Sequence, residues 1–268
     1  MRLSALAVAL LSVAAGCARR TAMERLEWTS MGTVAAVQVR GDAGSPAAAA
    51  ARLAVQSAFL RVEREFSRFD ANSVLRRTGD VSSFGAPCRD VALAVEKASG
   101  GAFSVRWRGD GGLDYGAVAK GFAVDVAAAD VAADGGDVDL LVDLGGNLKS
   151  VSGVWETGVR SPDGGVAATV SLRPGEALAT SAEYFRGRHI HDARTGRPAS
   201  AGVASVTVLA ASATWADALS TALFVLGPEA GAAMLRDRLP PESRPVAVFW
   251  ICADGRIVAH DPDGRFRR

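Results

Sequence analysis

Charge of one sign is what this 268-residue sequence most clearly lacks: 30 Lys+Arg stand against 29 Asp+Glu, a net charge of +1. That balance argues against nucleic acid as the main partner, so a phosphate-bearing ligand would need a local site. Cysteine is scarce, three residues in all, and Cys88 and Cys252 lie far apart, in no metal-binding spacing. An oxidising compartment would let them pair. Two separate buried thiols are at least as good a reading, because Cys252 ends the apolar run from Val246. There is no internal repeat and no low-complexity tract beyond Ala richness. With 49% hydrophobic and 22% charged residues, the composition is ordinary for a globular chain, enough for one large domain or two intimately packed ones.

The apolar run from Leu3 to Ala15, after Met1-Arg2, falls short of the ~20 residues that cross a bilayer and fits the core of a secretion signal. Ala14-Ala15-Gly16-Cys17 resembles a bacterial lipobox, in which the Cys17 thiol is acylated and tethers the mature chain. Ala14 stands where Leu is usual, which leaves plain cleavage without lipid as the alternative. The expected organisation is a signal peptide and lipobox over 1–17, a linker over 18–24 and one domain over 25–268. That describes an exported bacterial lipoprotein, anchored to a membrane and facing the periplasm or the cell exterior.

Within the domain, β-branched alternation predicts a strand from Thr33 to Val39, entered through Met31-Gly32. A 3.6-residue apolar rhythm predicts a helix from Ala47 to Phe66, and a shorter one runs from Arg89 to Ala98, ending at Gly100-Gly101. A glycine-containing turn after Leu113 feeds an Ala/Val-rich helix that stops at Gly135-Gly136. Strands are predicted over Asp139 to Leu144, Val166 to Leu172, His189 to Asp192 and Val203 to Leu209. Thr214 to Leu226 reads as a helix stopped by Gly227-Pro228, and Glu229 to Leu239 as another. Val246 to Cys252 and Ile257 to His260 flank Asp254-Gly255 as a hairpin. Helices and strands mix without regular alternation, so the predicted class is α+β.

Several residues could carry chemistry. Asp217 and Thr221 lie four apart on a predicted helix, so a carboxylate and a hydroxyl share one face, and both are hard oxygens of the kind Mg²⁺ selects. A solvated or capping pair is the plainer alternative. Lys120 sits in a turn-to-helix segment, Gly116 to Gly121, whose small residues allow close backbone approach to an anion; a solvated lysine at a helix start is the other reading. Gly145-Gly146 suits close contact with a planar or phosphorylated ligand, or is a tight turn. Thr180-Ser181 and the stretch His189 to Gly196, with Thr195, add hydroxyl, imidazole and guanidinium groups. His189 and His191 would share a face of a strand, but no third zinc ligand is evident.

Taken in order, seven pieces resemble the ApbE-type FAD:protein FMN transferases from Met31 to about Gly227. They are MGT at Met31, FSRF from Phe66, GGAF from Gly100, LDYGAVAKGFAVD from Leu113, LVDLGGN from Leu141, TSAEYFRGRHIHDARTG from Thr180 and ADALSTALFVLG from Ala216. The resemblance implies a single α+β domain of mixed sheets and flanking helices with a groove for FAD. It implies Mg²⁺ at the pyrophosphate of FAD, which is a substrate, and transfer of FMN to a threonine or serine of an acceptor flavoprotein as AMP leaves. Carried over by position, the metal ligands would be the Asp217 carboxylate, the Thr221 hydroxyl and the Ala117 carbonyl. Met31, Phe69, Ala102, Phe103, Ser104, Asp114, Lys120 and Ile190 match positions that contact FAD, and Gly145, Gly146, Ser181 and Thr195 join them as candidates. His189 would serve as general base or orienting group for the acceptor hydroxyl, with Lys120 adding positive charge.

The chain also departs from the family pattern. The bridge from Phe103 to Asp114 is shorter than usual by several tens of residues, Ser104 replaces an aspartate, Gly79 an asparagine, and Arg188-His189 a His-His pair. Each loss removes polar contacts, commonly worth ~0.5–1.5 kcal/mol apiece. These departures keep two alternatives open: an FAD-binding lipoprotein that transfers nothing or only hydrolyses FAD to FMN and AMP, and an interaction protein built on the same fold.

Overall fold

Apolar residues on both faces of the long strands dictate the architecture. In the computed structural model, which describes residues 23–133, 138–183 and 187–268, these strands form one eight-stranded antiparallel sheet. In spatial order they are β1 (Met23–Ser30), β2 (Thr33–Arg40), β3 (Asp139–Leu144), β4 (Asn147–Ser150), β7 (Ala177–Ala182), β10 (Val203–Ala210), β11 (Ala247–Cys252) and β12 (Ile257–His260). A smaller sheet orders β13 (Phe266–Arg267), β6 (Val166–Leu172) and β5 (Trp155–Arg160), and β8 (His191–Asp192) pairs with β9 (Arg197–Pro198).

Because side chains alternate along a strand, neighbouring residues enter different cores. Val37, Leu140, Val142, Val206, Val208 and Trp250 face the helices. Leu141, Leu178, Leu209, Phe249 and Ile251 face the small sheet, where they meet Trp155, Val170 and Leu172. An antiparallel sheet covered on both faces reads as continuous apolar runs rather than as strict alternation. That is why β3, β10 and β11 were conspicuous in the sequence.

The helical layer comprises α1 (Pro46–Phe66), α2 (Val74–Thr78), α3 (Ala86–Ala98), α4 (Ala119–Ala133) and α5 (Ala213–Asp237). Ser45 caps α1 by accepting the Ala48 amide, with Pro46 following where its missing N–H costs nothing. Inside α5, Gly227 at φ 76° and ψ 175° breaks the helix just before Pro228, at the predicted stop, although the two halves run on as one element.

The fold corrects several expectations. β1 takes in Met23 and Glu24, assigned above to a linker: its charged, exposed residues hide a strand whose Leu26 and Trp28 pack on the core. α3 begins at Ala86, three residues before Arg89, because Pro87 suits a first turn. The strand expected over His189 to Asp192 contracts to His191–Asp192, since the Ile190 carbonyl accepts the Ala199 amide at a corner instead of joining a ladder. β4, β5 and β7 were not predicted. Cys88 and Cys252 are separate buried thiols. The lipobox with Cys17, the helix stop at Gly135-Gly136, and Tyr184 to Arg186 lie outside the described residues.

The C-terminal segment is fastened by Arg265, which donates to both Glu176 oxygens at 2.8 and 2.7 Å. Burial opposes the charge on Glu176, but the Arg265 guanidinium outweighs it and holds the carboxyl below its usual range. A depressed carboxyl stabilises the fold above its unfolded pKa, about 4.3, and the contribution disappears as pH falls through the folded value. Glu176→Gln should therefore cost about 1–3 kcal/mol at pH 7, and urea denaturation should show the gap from wild type closing below about pH 4. A gap that persists unchanged into acid would contradict the ion pair's role.

Candidate active site

The site forms where α4 and α5 meet. Gly121 makes the meeting possible: a Cβ there would lie 2.2 Å from the Ala213 carbonyl oxygen and 2.8 Å from the Asp217 Cβ. With no side chain in the way, the Gly121 amide donates to Asp217 Oδ2 at 2.9 Å. A regular helix would send that amide to the Ala117 carbonyl four residues back. Instead the Ala117 carbonyl is left for another electropositive partner.

Asp217 is 5% exposed, and a carboxylate so buried requires compensation. Besides the amide it meets Lys120 Nζ, 3.3 Å from Oδ1 and 3.2 Å from Oδ2. The same ammonium donates to the Gly116 carbonyl at 3.0 Å. One cation therefore spans the Asp217 carboxylate and the turn that carries Ala117. The turn is itself pinned by Asp114, whose Oδ1 accepts the Gly116 amide at 2.9 Å. One helical turn after Asp217, Thr221 Oγ1 lies 3.1 Å from Ser181 Oγ at the end of β7, and Ser181 Oγ lies 2.8 Å from Ser220 Oγ.

These donors suit a hard cation. The set consists of one carboxylate, hydroxyls and a peptide carbonyl, all oxygen, and Mg²⁺ takes few protein ligands and completes its shell with water and substrate phosphate. Among the described residues no group of three His, Cys, Asp or Glu gathers to hold a metal.

A model of the ApbE family matches residues 104–243, a little over half of the sequence and the part that holds this junction. The chain belongs to the ApbE family. It is 40% identical over 168 residues to the FAD:protein FMN transferase of Rhodobacter capsulatus, covering 58% of this chain and 31% of that protein. With the FAD:protein FMN transferase of Treponema pallidum it shares 38% over 170 residues, covering 55% and 45%. The matches thus span less than half the length of these curated relatives. The ApbE protein of Thermotoga maritima has the same fold at a TM-score of 0.78 and 24% identity, covering 92% of this chain and 100% of that one. The flavin transferase ApbE of Vibrio cholerae gives 0.72 and 21%, covering 89% and 96%. At such identities the likeness establishes the fold alone.

Around the ApbE junction the other predicted residues fall into three groups. Met31 and Gly145-Gly146 occupy neighbouring hairpin turns. Met31 has φ 48°, unusual for a side-chain-bearing residue, and the Gly145 amide donates to the Val34 carbonyl. The ladder β3-β4-β7 puts these turns at the end of the sheet where Ser181 meets α5. A second group surrounds Asp114: its Oδ2 lies 3.3 Å from Arg68 Nε, and that guanidinium covers the exposed Phe69 ring at 4.1 Å. Between this group and α2 opens a cavity of about 260 Å³ lined by Arg68, Arg76, Arg108, Asp110 and Leu113, in which Arg108 pairs with Asp110.

The third group contains the histidines. The Ala193 amide donates to the Ala102 carbonyl, fastening the 190–196 loop beside Ala102 and Phe103, with Ile190 buried behind. His191 stacks on Trp107 of the short bridge, ring centres 4.6 Å apart. The bridge is closed by the Asp114 amide on the Val105 carbonyl, while Ser104 Oγ accepts the Arg106 amide. His189 Nδ1 donates to the Gly187 carbonyl at 2.8 Å, which in a neutral ring leaves Nε2 free to accept a proton. No side chain of the α4–α5 junction bonds to His189 among the described residues. The Thr195 hydroxyl accepts the Arg197 amide in the β8–β9 turn.

Electrostatics follow from these contacts. The Arg194 guanidinium, with two bonds to Asp192, holds that carboxyl low. Burial and the nearby Asp217 charge push the Cys88 thiol far up, so it stays protonated and inert. Sequence reasoning missed Gly121 as the contact point, Asp125, Ser220 and Trp107. For Gly121 a signal existed, a glycine inside an otherwise strong helical pattern. Gly121→Ala should lower unfolding stability by about 1–3 kcal/mol or more through overpacking, read as a shifted denaturation midpoint. An unshifted midpoint would show that the helices separate freely and that the contact is not a constraint.

Proposed function

We propose that the protein is a Mg²⁺-dependent transferase that moves FMN from FAD to a threonine or serine hydroxyl of a target flavoprotein, releasing AMP. The reading is carried by one observation: the Asp217 carboxylate is held by the Gly121 amide beside the Lys120 ammonium and the Gly116–Ala117 turn. Family membership and the names of the curated relatives support it.

Asp217, Thr221 and the Ala117 carbonyl would hold the metal, which when bound supplies a Lewis acid that neutralises charge on the diphosphate. Lys120 offers a second positive charge a few ångströms away, where negative charge grows as the bond to the bridging oxygen breaks. The acceptor oxygen forms the new bond to the FMN phosphorus, and AMP departs with the bridging oxygen. His189, with Nδ1 anchored on a backbone carbonyl, presents Nε2 to take the acceptor proton. Gly145-Gly146, Met31 and the Arg68–Phe69–Asp114 group would line the rest of the FAD site. Export with a lipid anchor at Cys17 is proposed on the sequence alone and would put the acceptor on the periplasmic or outer side of a membrane.

Incubation with FAD, Mg²⁺ and an acceptor bearing an exposed Thr/Ser flavinylation segment should give covalent flavin fluorescence on the acceptor. AMP and FMN without labelled acceptor would establish the hydrolase instead, and no nucleotide binding would leave an interaction protein. Asp217→Ala should abolish turnover, and full activity in that variant would sink the metal assignment. Lys120→Met should lower kcat by about 10²-fold with folding intact, the magnitude of losing one preorganised electrostatic contact.

A further inference from the structure

A buried carboxylate outside the proposed ligand set holds the two site helices together. Asp125 lies one turn beyond Gly121 on α4 and reaches the start of α5. Its Oδ1 accepts from the Ala213 amide at 3.0 Å and Lys149 Nζ at 2.9 Å. Its Oδ2 accepts from Ser212 Oγ at 2.7 Å, the Thr214 amide at 2.9 Å and Thr214 Oγ1 at 2.7 Å. Amides in the first turn of a helix have no partner within it, and the partial positive charge there favours an anion. Asp125 satisfies two of those amides from another helix. Lys149 completes the clamp, because its ammonium also donates to the Ala211 carbonyl at 2.8 Å and so ties in β4.

We infer that Asp125 is a positioning residue: by gripping the start of α5 it fixes where Asp217, one turn further on, sits against the Gly121 amide and the Gly116–Ala117 turn. Two points determine how the helices lie. At Gly121 the backbones touch, which sets the closest approach but not the rotation or slide of α5. Asp125, bonded to the N-cap Ser212 and to the first two residues of α5, sets those. Removing its charge frees α5 to shift by the fraction of an ångström that separates a hydrogen-bonded Asp217 from a loose one, and a metal site tolerates little such play. Burial opposes ionisation of Asp125, yet Lys149 and the α5 amides keep the carboxyl below its ordinary range, consistent with an anion held in place.

The metal arm of the test rests on the proposed function; the exchange arm does not. In the full chain, hydrogen exchange by NMR reads the Gly121 amide, which is protected only while Asp217 accepts it. Asp125→Asn should speed Gly121 exchange at least tenfold while Val206 and Val208, in the central sheet, exchange as in wild type. The same variant should bind Mn²⁺, used as the probe in calorimetric titration, at least tenfold more weakly. Glu176→Gln, which breaks the side-chain pair with Arg265 but none of the bonds to Asp125, controls for lost stability and should change neither. Should Asp125→Asn fail to fold, Ser212→Ala removes one donor, keeps the carboxylate and should give the same pattern at smaller amplitude. Unchanged Gly121 exchange in a folded variant overturns the clamp, as does faster exchange with wild-type Mn²⁺ affinity. If wild type binds no Mn²⁺ while Gly121 exchange still depends on Asp125, the clamp stands and the metal reading of the site falls.

Discussion

The active-site region depends on a contact that only glycine permits. Where α4 crosses α5, the backbones come so close that the Gly121 amide donates sideways to Asp217 rather than back along its own helix. That single diversion has two effects. It gives a nearly buried carboxylate a fixed donor, without which its burial would cost several kcal/mol. It also leaves the Ala117 carbonyl without its helical partner, in the turn that Lys120 ties to the same carboxylate. The oxygens of the proposed cation site are thus brought together by packing, not by a cluster of acids.

The rest of the molecule keeps this contact in place. α4 and α5 lie on a sheet whose strands are apolar on both faces, so the helices and the small sheet compress it from opposite sides. The antiparallel ladder brings the Gly145-Gly146 turn and the end of β7 to one edge, and from there Ser181 reaches Ser220 and Thr221 on α5. Chain segments distant in sequence, near residues 31, 114, 145, 181 and 217, therefore border one region although no sequence repeat or spacing links them.

How much of this was legible follows from what each signal measures. Strands β3, β10 and β11 showed themselves because double-sided burial demands unbroken apolar runs, and the kink at Gly227 because Gly-Pro punctuates a helix. β4, with Asn147, Lys149 and Ser150, and β7, with Ala177, Thr180 and Ser181, carry small or polar residues at the site edge and lack any strand signature. Pairing with neighbouring strands there overrides propensity. β1 was hidden by the charges that blunt an edge strand. Among candidate residues, helical spacing drew attention to Asp217 and Thr221 and a glycine-flanked turn to Lys120, but only the family resemblance gave them roles. Asp125 drew none, because its partners at Lys149 and Ser212 to Thr214 are tertiary, and no local pattern distinguishes a clamp from a solvated aspartate.

The near-neutral net charge then acquires a meaning. A chain with 30 basic and 29 acidic side chains has no broad field to draw in a polyanion, so recognition must come from groups positioned at short range. The structure meets that demand by pairing most charges near the site in ways that orient rather than neutralise them. Arg68 is held by Asp114 over Phe69, Lys120 by Asp217 and the Gly116 carbonyl, and Lys149 by Asp125. Each cation has its geometry set before any ligand arrives, and each aspartate involved also accepts a backbone amide, which ties the ion pair to the chain. Electrostatic preorganisation of this kind would require little rearrangement were an anionic ligand to enter as proposed, since the charges are already held in place. Within the ApbE fold, the contacts that hold α4 against α5 thus also fix the charged groups on which the proposed function draws.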